Sequence, residues 1–266
     1  MTPRLVIFGL GYCAARIAAA AQARGWEVIS TGRAGTLQFG DAGAVRLALA
    51  DAAQVLSSVP PDGAGLDPVL ETYGDALTGL PLSYLSSTGV YGDCGGAWAD
   101  ESAPMRGRRG GRNLADAAWL ARGARVLRLP GIYGPAFLAH EGRSALDRVR
   151  DGRAQRIDQP AQVFSRVHVD DVVSGALLAF DAPPGAYNLA DDLPASQNAV
   201  IEEACRLLGT APPPLLSLEQ AQLSPMARAF YAENRRVANG KAKRVLGWTP
   251  HYPTYHDGLG ALVTPT

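Results

Sequence analysis

The sequence predicts a doubly wound α/β protein, a parallel sheet with helices on both faces and a smaller C-terminal lobe. Three observations predict it. Leu5–Arg16 (LVIFGLGYCAAR) joins a short apolar strand to a glycine turn and an alanine-rich helix. Strand-like runs then recur at Trp26–Thr31, Ala44–Leu49, Gln54–Val59, Leu82–Ser86 and Arg125–Leu129, with helical or loop segments between them. This alternation builds parallel sheets, because each crossover returns the chain in the same direction. Beyond Pro130 the alternation loosens, as expected where a second, smaller unit begins.

In the opening unit Gly9 and Gly11 stand at G-x-G spacing, and Ala14 takes the place of a third small residue. Gly9 can turn where a Cβ would clash, Gly11 lets a pyrophosphate approach the backbone, and Ala14 lets helix and strand pack closely. The start of the helix, with Tyr12 and Cys13, presents backbone N–H groups and the positive dipole end to phosphates. A second strand follows the helix after Gly25, so the turn sits in a strand–helix–strand unit. These residues predict a dinucleotide site. An acid about twenty positions on would hold the ribose 2′-hydroxyl of NAD; Thr31 stands there, followed by Gly32 and Arg33. With no carboxylate to repel a 2′-phosphate and a guanidinium two residues away, the preference is NADP, with NAD as the alternative. Arg33 as a solvated loop residue is the competing reading.

Among the later elements, Val69, Leu70, Tyr73 and Leu77 share one helical face, and Leu114, Ala117, Ala118 and Ala121 another. Helices are expected near Ser144–Arg150, across Val172, Val173, Ala176, Leu177 and Phe180, and over Gln197–Leu208 up to a stop at Gly209. A strand is expected at Ala186–Ala190, and the Pro212–Pro214 connector leads to the last third. The expected division is a core of 1–130 and 161–192 and a lobe of 131–160 and 193–266.

The 266 residues are 47% hydrophobic, with 25 basic and 25 acidic side chains, so no long-range field favours nucleic acid or an anionic membrane. Cys13, Cys94 and Cys205 are scattered, without metal-ligand spacing, which fits a reducing, cytoplasmic compartment. The apolar run after Arg4 is too short for a signal peptide, and no stretch approaches a membrane span. No metal is expected.

Four later segments carry a resemblance. YLSSTGVYG (Tyr84–Gly92), RLPGIYGP (Arg128–Pro135), RVHVDD (Arg166–Asp171) and NRRVANGKAKRVLGW (Asn234–Trp248) fall in order. The chain so resembles the extended, atypical branch of the short-chain dehydrogenase/reductase superfamily, the NAD(P)-dependent epimerase/dehydratase-like proteins. The resemblance implies a Rossmann core, a nicotinamide cofactor contacted also at Pro130, a small polar substrate and a Ser/Thr–Tyr–Lys site. Ser87 matches the serine. Where the family has its Tyr-x-x-x-Lys pair this chain reads ESAPMRGRRGGRNLAD, which sets Arg108 at the tyrosine and Arg112 at the lysine. A guanidinium stays protonated and accepts nothing, so Arg108 cannot relay a proton.

Tyr91 and Tyr133 are then the substitute acids by motif position, each with packing as its alternative role. Arg106, Arg108, Arg109 and Arg112 read as a solvated loop, as a subsite for an anionic substrate, or as a nucleic-acid patch, the last disfavoured by the neutral chain. His168, beside Asp170 and Asp171 at a helix start, reads as structural. Two functions follow: an NAD(P)-dependent oxidoreductase or epimerase-like enzyme, monomeric or homodimeric, or a non-catalytic nicotinamide-nucleotide sensor or scaffold.

Overall fold

The computed structural model describes residues 2–135 and 144–263. Its first half runs β1 (Arg4–Phe8), α1 (Tyr12–Ala23), β2 (Glu27–Ser30), α2 (Ala42–Ala50), β3 (Gln54–Ser57), α3 (Pro68–Tyr73), β4 (Leu82–Ser87), a 3-10 turn (Thr88–Tyr91), β5 (Trp98–Ala99), α4 (Gly110–Ala121) and β6 (Arg125–Leu129). There follow β7 (Gly131–Tyr133), α5 (Ala145–Arg150), β8 (Arg156–Ile157), β9 (Arg166–His168), α6 (Val169–Ala179) and β10 (Gly185–Asn188). The chain closes with α7 (Gln197–Leu208), β11 (Leu215–Leu216), α8 (Pro225–Tyr231), β12 (Arg236–Val237), α9 (Gly240–Leu246) and α10 (Tyr255–Val263).

Six strands form one parallel sheet in the order β10-β6-β4-β3-β1-β2. Val6 pairs with Ile29 on one side and Val55 on the other. The order reverses between β1 and β3, and the crevice outside the carboxyl ends of these strands is where such sheets take ligands. One face of the sheet is covered by α1 and α6 around Ile17, Val172 and Trp248. The other is covered by α2, α3 and α4 around Val45, Tyr73 and Trp119. Buried on both faces, β1 reads as a continuous apolar run after Arg4, as central parallel strands do, and all four residues of β3, Gln54 and Ser57 included, are buried.

Two expectations are corrected. Ala44–Leu49 is not a strand: it lies in α2, where the Asp41 carboxylate caps the Ala44 N–H at 3.0 Å. Val45, Ala48 and Leu49 face the sheet at helical spacing while Leu47 is 72% exposed. Beyond β2 the sheet continues among the described residues as a single bridge, Thr31 to Leu37. In α4 the buried face is Ala115, Asp116 and Trp119, and Leu114 is exposed. Alanine and leucine periodicity misplaced that face because its buried members include an acid. Asp116 is held there by Ser86 and Arg128, and Trp119 stacks on Tyr84.

The smaller lobe has its own core of Tyr133, Leu146, Ile201, Cys205 and Leu259. Ser144 starts α5 with a reciprocal Ser–Asp147 cap, and Ser196 starts α7, which stops at Gly209 in the left-handed conformation as expected. Part of the expected 131–160 lobe segment, residues 136–143, lies outside the described residues. Residues 240–248 return to the core, where Trp248 donates to the Asp171 carbonyl and Lys241 to that of Ala186.

Candidate functional site

At the crevice between β1 and β3 the chain turns at Gly9, with φ +81°, where a Cβ would press on Val59 and Ser58. The Ser58 hydroxyl donates to the Gly9 carbonyl at 2.5 Å, and the Gly9 N–H donates to the Thr31 hydroxyl at 3.3 Å. Gly11 opens α1 as its cap, brings no side chain to it, and would direct a Cβ into open space. Ala14 is fully buried against the sheet, as the spacing required. These features fit a dinucleotide pyrophosphate: a turn braced from behind and a backbone left bare in front.

The remaining residues expected to contact the cofactor have these places. The Tyr12 phenol donates to the Pro135 carbonyl at 2.8 Å, tying the helix start to the end of RLPGIYGP. Cys13 is buried in the core. Thr31 is 2% exposed and engaged with the glycine turn, so it braces that turn instead of facing a ribose. Arg33 is exposed and makes no ion pair among the described residues. Pro130 borders the main cleft.

That cleft, about 730 Å³, lies between the core and the smaller lobe. Ser87, Thr88 and Pro130 form its core wall, with Tyr133, Arg148, Arg166 and Gln197 among the residues opposite. Ser87 caps the 3-10 turn by accepting the Gly89 N–H at 3.1 Å. That bond uses an oxygen lone pair and leaves the hydroxyl proton for donation. A smaller recess of about 80 Å³ joins Ser87 to Arg108, Arg109, Arg112 and Glu233.

The structure separates several residues the sequence had grouped. Tyr91 is 2% exposed, donates to the Asn188 Oδ1 at 2.7 Å and accepts from Arg128 at 3.0 Å. Burial pushes its phenol up, and it lines neither cavity, so packing is its role. Arg108 ion-pairs with Glu233 at 2.7 Å and donates to the Ala229 carbonyl. These contacts tie the core to α8 and the segment after it. Arg112 donates to the Tyr84 phenol over a long 3.4 Å, and burial of that phenol against Trp119 pushes it up to about 12. Arg106 is exposed away from both cavities, so the four arginines do not converge into one subsite.

His168 is 1% exposed, its Nδ1 accepts the Asp170 N–H at 3.3 Å, and burial lowers it to about 4. A neutral capping histidine results, the structural reading. Tyr133 is boxed against Gly258, where a Cβ would overlap its hydroxyl, and burial raises its phenol strongly. Among the described residues no group of three or more His, Cys, Asp or Glu side chains gathers as metal ligands. No helix of the described residues is long and apolar enough to cross a membrane.

The sequence reading missed Ser58 as a brace and Arg148, Arg166 and Gln197 as cleft residues. Arg166 sits in a quoted motif, but spacing carries no sign that positions 148, 166 and 197 meet.

No protein-family model matches the chain. A functionally unknown conserved protein from Silicibacter pomeroyi DSS has a solved structure that superposes with a TM-score of 0.85, at 38% identity, covering 98% of each chain. The present chain belongs to the same family. The same fold is seen in the human epimerase family protein SDR39U1 with NADPH (TM-score 0.73, 19% identity, 97% and 99% coverage). A 3-diazoavenalumate denitrifying reductase of Streptomyces sp is 35% identical over 142 residues, 51% of this chain. The match spans 45% of that reductase, less than half its length. In this fold the glycine turn occupies the carboxyl edge of the parallel sheet and Ser87 the wall of the interlobe cleft.

Proposed function

We propose that the protein is an NAD(P)-dependent oxidoreductase or epimerase/dehydratase-like enzyme acting on a small polar substrate, cytoplasmic in keeping with its free cysteines. The observation that carries the reading is the Gly9–Gly11 turn, bare in front and braced by Ser58 and Thr31 behind, at the reversal of strand order. Relatives with a nicotinamide cofactor and a reductase support it.

A bound nicotinamide dinucleotide supplies a hydride donor or acceptor. The chain's own residues do the rest. Gly9, Gly11 and the start of α1 hold the phosphates, and Arg33 favours a 2′-phosphate and hence NADP. Ser87 donates its hydroxyl proton to the reacting oxygen, stabilising charge that develops there. With Arg108 and Arg112 at the positions of the usual tyrosine and lysine, α4 offers no phenol for proton transfer.

Titrating NADPH and NADH into wild type, Arg33→Ala and Ser87→Ala tests this. Arg33→Ala is expected to weaken NADPH about tenfold and leave NADH unchanged, the loss of one charge-assisted contact. Ser87→Ala is expected to keep cofactor affinity and lower turnover about 100-fold. Wild type that takes up neither nucleotide would refute the proposal. The second reading, a nucleotide sensor without turnover, is favoured by one observation: Arg108 is committed to Glu233 and Ala229, a tie between lobes instead of a reacting group. Nucleotide-dependent partner binding with no turnover on a broad carbonyl panel would select it.

A further inference from the structure

Three buried side-chain atoms that border the interlobe cleft have no hydrogen-bond partner among the described residues: Arg166 Nη1, Gln197 Nε2 and Tyr133 Oη. Each carries a proton to donate. Buried donors without acceptors cost free energy, so native folds leave few of them, and three on one cavity point to something that supplies lone pairs.

Arg166 is 7% exposed. Its Nη2 donates to the Ala195 carbonyl at 3.1 Å, and its guanidinium lies 5.3 Å from the Tyr255 ring centroid. Neither contact neutralises charge. The charge of Asp191 acts in favour of the guanidinium, yet Asp191 makes no ion pair with Arg166 and does not border the cleft. Arg148, half-buried on α5 across the same cleft, has a side chain with no ion pair or hydrogen bond among the described residues, and burial works against its charge. Arg148 and Arg166 are close enough to repel one another. Among the described residues of the lining there are five arginines, at 109, 148, 153, 166 and 235, against one carboxylate, Glu233. Glu233 already pairs with Arg108 and Arg235.

A guanidinium cannot escape burial by losing its proton. Two of them facing one cavity with free donors are therefore stabilised by an anion in the cavity. Gln197, the first residue of the 12-residue helix α7, adds an amide donor and the positive end of a helix dipole on the same side. Ser87 stands on the core wall opposite.

We infer that Arg148, Arg166 and Gln197 form an oxyanion seat, and that the substrate is a compact molecule bearing a carboxylate or a phosphate monoester, held by that group with its reacting carbon toward Ser87. This assignment deepens the proposed function and rests on it for the word substrate; the seat itself does not. It also moves the anion-binding role from the 106–112 arginines to the opposite lobe.

Calorimetric titration of the full chain with inorganic phosphate, and separately with acetate, tests the seat, with and without saturating NADPH. Wild type is expected to bind at least one of the anions in the presence of NADPH. Arg148→Gln is expected to weaken that binding about tenfold or more, as loss of a charge-assisted contact should, with NADPH affinity unchanged. Arg166→Met is expected to do the same, and Gln197→Leu, at a less buried position, gives a second variant if Arg166→Met fails to fold. Stronger uptake of phosphate assigns a phosphate monoester, and stronger uptake of acetate a carboxylate. Anion binding equal in wild type, Arg148→Gln and Gln197→Leu would overturn the seat. So would binding abolished by NADPH, which would locate the anion at the glycine turn. If wild type takes up no NADPH, the cofactor reading fails while phosphate binding by wild type and Arg148→Gln still decides the seat.

Discussion

Two arginines lie buried in this molecule near an aspartate, and they are built in opposite ways. Arg128 donates to both Asp116 oxygens, at 3.1 and 2.8 Å, and to the Tyr91 phenol at 3.0 Å, while Ser86 completes Asp116 at 2.6 Å. Burial opposes its charge, but Asp116 and Tyr91 outweigh that and push the guanidinium above its ordinary value. Arg166 and Asp191, equally buried, make no such bonds: burial pulls the arginine down and holds the Asp191 carboxyl up at about 7. A closed network fastens β6 to α4, and an open one lies beside the cleft. The difference teaches where polar burial serves the fold and where it is kept in reserve for a ligand.

The strongest way to break the comparison is Arg128→Met. It strands Asp116 inside the protein, and removing one member of a buried pair costs about 3–5 kcal/mol, read as the shift in a urea midpoint. A loss near zero would mean the network is not closed.

Asp191→Asn sharpens the other side. With its ordinary value at 3.8 and the native one at about 7, the folded protein keeps this proton after the unfolded chain has lost it. Wild-type stability is therefore lost as pH rises through that window, by about 1.4 kcal/mol per pH unit at most. Asp191→Asn should flatten this slope between about pH 4 and pH 7. An unchanged slope in denaturation at several pH values would show that the carboxyl is ionised and paired. Arg166→Met at pH 6, where Asp191 holds its proton, is expected to change stability by no more than about 1 kcal/mol. A loss as large as that of Arg128→Met would erase the contrast.

Local rules made part of this legible. Gly9, Gly11 and Ala14 are read from spacing because each answers a short-range demand for a turn, an open backbone or close packing. Gly209 ends α7 for a similar reason. Ala44–Leu49 was misread because a run of alanine, valine and leucine is equally apolar in both conformations, and the deciding cap, Asp41, sits outside the run. The α4 face was misread because Asp116 is buried by partners 30 and 12 residues away. Arg148, Arg166 and Gln197 stayed hidden for a related reason: helices and strands far apart in the chain bring them to one cleft.

The return of residues 234–248 to the first half of the chain has a consequence for dissection of the molecule. β12 pairs with β5, the Asn234 N–H donates to Asp93, and Asn188 donates to the Ala238 carbonyl. A fragment ending near residue 192 would bare the sides of Ala99, Leu189 and α6 that Val237 and Trp248 now cover. The two lobes are thus laced together like a parcel tied with its own end, and they should melt as one calorimetric transition.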